Sequence, residues 1–170
     1  MLQTFFAPTP RYTEDLLVEE LARLGVVQVK ERPGGVRFEG SLETAYRVCL
    51  WSRLAARVLL PIAEFDAAGR DELYAGAKAV DWTAHMAVDH TFAVDATVRA
   101  SAMEHSRYAA LLVKDAVADH FRERFGRRPS VDVQRPMIRL NLYLGNDHAV
   151  LSIDLSGTGL HERGYRQPGT

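Results

Sequence analysis

In the first third of this chain the hydrophobic period alternates between two residues and 3.6. The order of those switches limits the fold more than any single motif. Leu2 to Ala7 is a short apolar run stopped by Pro8 and Pro10, as a strand is. Thr13 suits a helix N-cap, and Glu14 and Asp15 favour the positive start of the helix. Leu16, Leu17, Leu21 and Leu24 then recur at helical spacing, and Gly25 suits the position just past the helix end. Val26 to Glu31 is strand-like, with β-branched Val27 and Val29 on one face. Arg32-Pro33-Gly34-Gly35 reads as a turn and Val36-Arg37-Phe38-Glu39 alternates, which predicts a hairpin. Ser41 caps a second helix carrying Leu42, Ala45, Tyr46 and Cys49 on one stripe, and Ala55 to Phe65 is the next strand-like run. The order β-α-β-β-α-β is ferredoxin-like, an antiparallel sheet with two helices on one face. A unit of this size has a small core and is expected to lean on the rest of the chain.

After Asp66-Ala67-Ala68-Gly69 the pattern changes. Asp71 to Val80 predicts a helix, Trp82 to Met86 a short helical turn, and Thr91 to Val98 a strand with Phe92, Val94, Ala96 and Val98 on one face. Ser106 to Phe125 is the strongest helix, with Ala109, Leu112, Val113, Ala116, Val117, Phe121 and Phe125 on one apolar stripe and Gly126 as its stop. Its start has two readings, a capping box from Ser101 and Glu104 or an N-cap at Ser106. Pro136 to Leu144 and Ala149 to Leu155 read as strands joined by the hairpin signal Gly145-Asn146-Asp147-His148. The second unit is thus α-α-β-α-β-β, and the whole chain is of the α+β class.

The hydrophobic fraction of 47% excludes disorder, and no apolar run approaches the roughly 18 residues of a membrane span. The N-terminus lacks the charged and apolar regions of a signal peptide. A single cysteine, Cys49, cannot close an internal disulfide, so a cytoplasmic setting is expected, with no membrane. Cys49 lies on an apolar helix stripe and reads as core. The six histidines are scattered without ligand spacing, and no metal site is expected. His161-Glu162-Arg163-Gly164-Tyr165 begins like a zinc-protease helix, but Tyr165 stands where the second histidine must be.

A formal net charge of -1 hides an uneven distribution. Residues 64–100 hold three basic residues against seven acidic ones, whereas residues 101–140 hold eight basic against five acidic. A basic segment in a neutral chain is either a solvated surface or a patch for phosphates. Arg107 and Lys114 lie seven residues apart on the strongest helix, close to two turns, with small Ala110 between them. They are expected on one face opposite the apolar stripe, where a phosphate can approach, with Ser106 and free backbone N–H groups at the helix start. Arg127, Arg128, Arg135 and Arg139 come next along the chain and can extend a basic track, Arg139 facing away from Ile138 and Leu140.

Particular runs carry a resemblance to known families. The second unit resembles a THUMP domain in Ser106-Arg107-Tyr108-Ala109, Val113-Lys114-Asp115-Ala116, Pro136-Met137-Ile138-Arg139-Leu140-Asn141-Leu142 and Leu151-Ser152-Ile153-Asp154-Leu155-Ser156-Gly157. The first unit resembles ribosomal RNA large subunit methyltransferase K/L in Gly34-Gly35-Val36-Arg37-Phe38-Glu39-Gly40 and Trp51-Ser52-Arg53-Leu54-Ala55. The Gly- and Arg-rich run from Leu155 to Arg166, above all Arg163-Gly164-Tyr165-Arg166, resembles the junction in that family between the RNA-binding region and the methyltransferase domain. A THUMP pattern alone also fits thiouridine and other RNA-modification enzymes.

The resemblance implies a ferredoxin-like subdomain over residues 1–66, a THUMP RNA-binding domain over 67–156 and a linker over 157–170 toward a methyltransferase domain absent from this chain. It implies RNA contact at Ser106, Arg107, Tyr108, Lys114, Arg127, Arg128, Arg135 and Arg139. It further implies a parent enzyme that uses S-adenosylmethionine to methylate the exocyclic N2 of a guanine in 23S ribosomal RNA. A fused form of the family modifies another guanine at N7. The expected partners are that RNA and the catalytic domain in cis. Arg163, Tyr165 and Arg166 can stack on RNA or dock the catalytic domain, and a junction favours docking. No catalytic residue and no cofactor are expected in this chain. It has no Asn or Asp followed by Pro-Pro and an aromatic, and Gly157-Thr158-Gly159 has Glu162 where a nucleotide-binding loop needs its third glycine. A rival reading is a protein-docking domain without RNA affinity of its own.

Overall fold

The computed structural model describes residues 1–103 and 105–162, which fall into two compact units. The first comprises Met1–Pro61 and the segment from Asp154 onward, and the second is Ile62–Ile153.

The first unit runs β1 (Gln3–Pro8), α1 (Glu14–Arg23), β2 (Gln28–Arg32), β3 (Gly35–Gly40), α2 (Leu42–Trp51) and the start of β4 (Leu59–Asp66). Its strands lie in the order β2-β3-β1-β4, and β1–β3, β1–β4 and β2–β3 are all antiparallel. This is the ferredoxin-like arrangement expected from the periodicity. Register decides which side is core: Phe5 pairs with Phe38 and Ala7 with Val36, and all four are fully buried. The Phe5 and Phe38 rings stack at 5.3 Å, beneath Leu17 and Leu21 of α1 and Ala45 and Val48 of α2. Burying side chains of this size contributes roughly 1.5–3 kcal/mol each. Ser41 caps α2 with a full capping box: its Oγ accepts from Thr44 N at 3.2 Å, and Thr44 Oγ1 accepts from Ser41 N at 3.3 Å.

Three local expectations differ from the structure. Thr13 occupies the N-cap of α1, but its hydroxyl donates to Pro10 O at 2.7 Å and caps nothing. Val27 is 89% exposed, because β2 begins one residue later and only Val29 turns toward the core. The chain also returns to this unit after β8 (His148–Asp154), through residues the sequence marks only as a connector. Leu155 N donates to Val58 O at 2.9 Å, Val58 N to Ser156 Oγ at 2.7 Å and Leu160 N to Ala56 O at 2.9 Å. Leu160 is buried in the first core.

The second unit contains the rest of β4, α3 (Arg70–Ala79), a 3₁₀ turn at Trp82–Ala84, β5 (Thr91–Arg99), α4 (Ser106–Phe125), β6 (Ser130–Val131), β7 (Ile138–Gly145) and β8. The strand order is β4-β8-β7-β5-β6. β5 is parallel to β6 and β7, and β7 is antiparallel to β8. The α4 stripe (Leu112, Val113, Ala116, Val117 and Phe121) packs with Leu73 and Ala77 of α3, Trp82, Phe92 and the leucines of β7. Trp82 is fully buried, and its indole N–H is satisfied by Ala77 O at 2.8 Å. Phe125, expected on the stripe, is 53% exposed and only stacks on Phe121 at 5.9 Å. β6 is two residues long, too short to show any period in the sequence.

Candidate nucleic-acid interface

α4 sets the geometry of the basic side chains. Neither expected cap is used: its N-cap is His105, and Ser101 Oγ instead donates to Asp147 Oδ1 at 2.7 Å. Ser106, Arg107 and Tyr108 all lie in the first turn and are exposed, Tyr108 by 41%. Gly126 closes the other end in the left-handed conformation, φ 68°. The lower half of α4 is latched to α3. Tyr74 O–H donates to Asp119 at 2.7 Å, which raises the phenol above its usual pKa, and Lys78 Nζ meets Glu123 at 2.6 Å.

The structure divides the basic candidates into two groups. α4 is 20 residues long, so about 30 Å separates its ends. Arg107 stands at the first turn, while Arg127, Arg128, Arg135 and Arg139 come after the last one. Lys114 is not fully opposite the stripe. Its side chain is only 30% exposed, because a position seven residues on drifts about 20° around the helix, and it reaches Asp115 at 3.6 Å.

Acidic partners divide the candidates further. Arg127 pairs with Asp89 at 2.9 Å. Arg139 pairs with Asp95 at 3.0 Å across β5 and β7, with its side chain only 15% exposed and its Nε buried without a partner. Arg122 is held by Asp119 at 2.6 Å and Arg124 by Asp81 at 3.4 Å. Among the described residues, Arg107, Arg128 and Arg135 are the members of this basic segment whose side chains have no ion pair; all three are exposed. The sequence could not show this division, since Asp89 and Asp95 lie 38 and 44 residues from the arginines they meet. Arg163, Tyr165 and Arg166 lie outside the described residues.

The match to known proteins is specific. A model of the THUMP domain matches residues 67–154, and a model of the RlmL ferredoxin-like domain matches residues 4–59. The chain belongs to the THUMP domain family. It is similar to the ribosomal RNA large subunit methyltransferase K/L of Syntrophotalea carbinolica, with 59% identity over 97% of this chain. The chain spans 23% of the length of that relative. The fold is also similar to a predicted N6-adenine-specific DNA methylase from Listeria monocytogenes, at 30% identity and a TM-score of 0.83, covering 100% of this chain and 44% of that one. A chain solved in complex with SAH aligns at 26% identity and a TM-score of 0.85, covering 98% of this chain and 45% of its own. Along the chain the ferredoxin-like match precedes the THUMP match.

The loop Gly157-Thr158-Gly159 does not fit S-adenosylmethionine, the methyl donor that the methyltransferase relatives imply. Gly157-Thr158-Gly159 leads into a 3₁₀ turn, Leu160–Glu162, whose Leu160 is buried in the first core. The ring of His161 fills the space beside Gly159, 2.6 Å from where a Cβ would stand. No helix among the described residues is long and apolar enough to cross a membrane.

Proposed function

We propose that this chain is the RNA-targeting module of an S-adenosylmethionine-dependent methyltransferase that modifies a guanine N2 of 23S ribosomal RNA, with methyl transfer carried by residues outside this stretch. The observation that carries the reading is the similarity to the K/L methyltransferase over 97% of the chain, which includes the whole THUMP match. Exposed Arg107, without an ion pair among the described residues, supplies a cation at the start of α4 beside Ser106 and Tyr108. The helix N-terminus there adds to the attraction for phosphate. Arg128 and Arg135 supply further cations at the far end of the same unit.

The module contributes by proximity. Gripping the RNA backbone raises the local concentration of a tethered catalytic domain at its target without reading much sequence. The target guanine is then flipped out of its helix for chemistry. The experiment is binding of the chain to short 23S ribosomal RNA hairpins across a salt series, beside an Arg107→Ala, Lys114→Ala variant. Salt-dependent affinity that the variant weakens supports the reading. Binding indifferent to salt and to the variant, or none, turns it toward a protein-docking domain.

A further inference from the structure

The sheet of the first unit has one face under its helices and one face left open by the described residues. Register fixes what the open face carries. Lys30 of β2 lies directly opposite Arg37 of β3, Gln28 opposite Glu39, and Arg32 opposite Gly35. Lys30, Arg32 and Arg37 are all solvent-accessible, and none has an ion pair among the described residues. They line an open depression with Gln28, Phe38 and Glu39. On β1, Phe6 stands opposite Arg37, and its ring lies over Gly35, 2.5 Å from where a Cβ there would be. Gly35 thus leaves room for an aromatic ring on this face.

Like charges directly opposite each other across two strands destabilise a hairpin. Among the described residues neither cation of this pair has an ion-pair partner, and Glu39, the one carboxylate lining the depression, is in register with Gln28. Edge protection explains cations on β2, which ends the sheet order and needs charge against aggregation. It does not explain Arg37, which sits on β3, an internal strand paired on both sides. Three unneutralised cations in two adjacent strands, in a chain whose net charge is -1, are complementary to a polyanion.

We propose that this face is a second RNA contact, in which Lys30, Arg32 and Arg37 bind phosphates of the backbone. The inference rests on the reading of the chain as an RNA-targeting module and gives the ferredoxin-like unit a direct share of the grip. Lys30 and Arg32 lie two residues apart on one strand face, a spacing that lets them meet successive phosphates of one strand.

The test uses the 170-residue chain and a short 23S ribosomal RNA hairpin, with affinity measured across a salt series. Lys30→Ala, Arg32→Ala, Arg37→Ala is expected to weaken binding on the order of ten-fold at low salt. Its log Kd against log salt slope should be shallower by roughly 0.7–0.9 for each phosphate no longer neutralised. The charge-preserving Lys30→Arg, Arg32→Lys, Arg37→Lys variant should keep the parent slope. Should the triple alanine variant melt early, Lys30→Gln with Arg32→Gln leaves β3 untouched and is expected to reduce the slope by about two phosphates' worth. A parent that binds while the neutralised variants bind equally well, with the same slope, overturns this inference and leaves the function above standing. A parent that does not bind overturns both.

Discussion

Arg57 and Asp154, 97 residues apart in sequence, form an ion pair in which the Asp154 side chain is 1% exposed and the Arg57 side chain 30%. Asp154 Oδ1 also accepts from Ser156 N at 2.9 Å, so one carboxylate ties the returning chain to the segment ahead of β4. Removing the arginine leaves a buried charge with little compensation. Arg57→Ala is expected to cost about 2–3 kcal/mol, below the range for fully buried pairs because Arg57 is partly solvated. In a double-mutant cycle read by urea unfolding, Arg57→Ala with Asp154→Ala should cost clearly less than the sum of the two single changes. Additive costs would show that the pair does not couple.

Glu20 of α1 is a second buried carboxylate with a structural task. It accepts from Ser52 Oγ at 2.5 Å, Arg53 N at 3.0 Å and Leu54 N at 3.3 Å, and so orders the chain leaving α2. Burial raises its pKa most, but the hydrogen bonds from Ser52 and from the Arg53 and Leu54 backbone together outweigh it, and the net shift is downward. A folded pKa below the unfolded one contributes stability that is present above the ordinary value near 4.5 and is lost as pH falls through the folded value. Glu20→Gln should cost about 1.5–3 kcal/mol at neutral pH. It should also reduce the loss of stability on acidification below that value. Melting curves for both proteins down the acid limb decide it: parallel curves would remove Glu20 as the cause.

The β7–β8 hairpin turns on Asn146 and Asp147, with φ of 51° and 58°. Two consecutive positive φ values are those of a type I′ turn, in which glycine relieves strain. Asn146→Gly should therefore be neutral or stabilise by a few tenths of a kcal/mol. Asp147 differs, since its Oδ1 accepts from Ser101 Oγ at 2.7 Å and Ala102 N at 3.2 Å. Asp147→Gly should cost about 1 kcal/mol despite its favourable backbone. Thermal unfolding that ranks the two variants the other way round would contradict this division of labour.

Sequence periodicity read long elements well and short or distant ones poorly. α4 has the bounds Ser106–Phe125 and stops at Gly126 because an apolar stripe sustained over several turns has one phase and glycine supplies the left-handed exit. Asn146-Asp147 marked a hairpin because few residue pairs tolerate its dihedrals. Phe125 continued the stripe in phase, yet its outer turn has little to pack against. The return of residues 154–162 to the first core was invisible, because Leu155 and Leu160 sit in a run without period. Charge behaved likewise: eight basic residues between 101 and 140 are visible in one dimension, but Asp89 and Asp95 neutralise two of them only in three. The Lys30–Arg37 opposition was within reach, since hairpin alternation puts both on the polar face.

Arg107 and Arg139 were both candidates in the sequence, and the structure gives them different consequences. Arg139 is 15% exposed, bonded to Asp95 at 3.0 Å and to Val133 O at 3.4 Å. Its loss leaves Asp95 unpaired between β5 and β7, so Arg139→Ala should cost about 1–2 kcal/mol of stability. Arg107 is exposed on the first turn of α4 and has no ion pair among the described residues. Arg107→Ala should leave stability within about 0.5 kcal/mol of the parent. It should lower RNA affinity by about one phosphate contact, with a matching fall in salt slope. The two readouts, unfolding midpoint and salt-dependent binding to a 23S ribosomal RNA hairpin, should respond to opposite variants. If Arg139→Ala instead weakens binding while its midpoint stays put, the buried arginine is a phosphate ligand and the RNA lies across the β5–β7 face, not along α4.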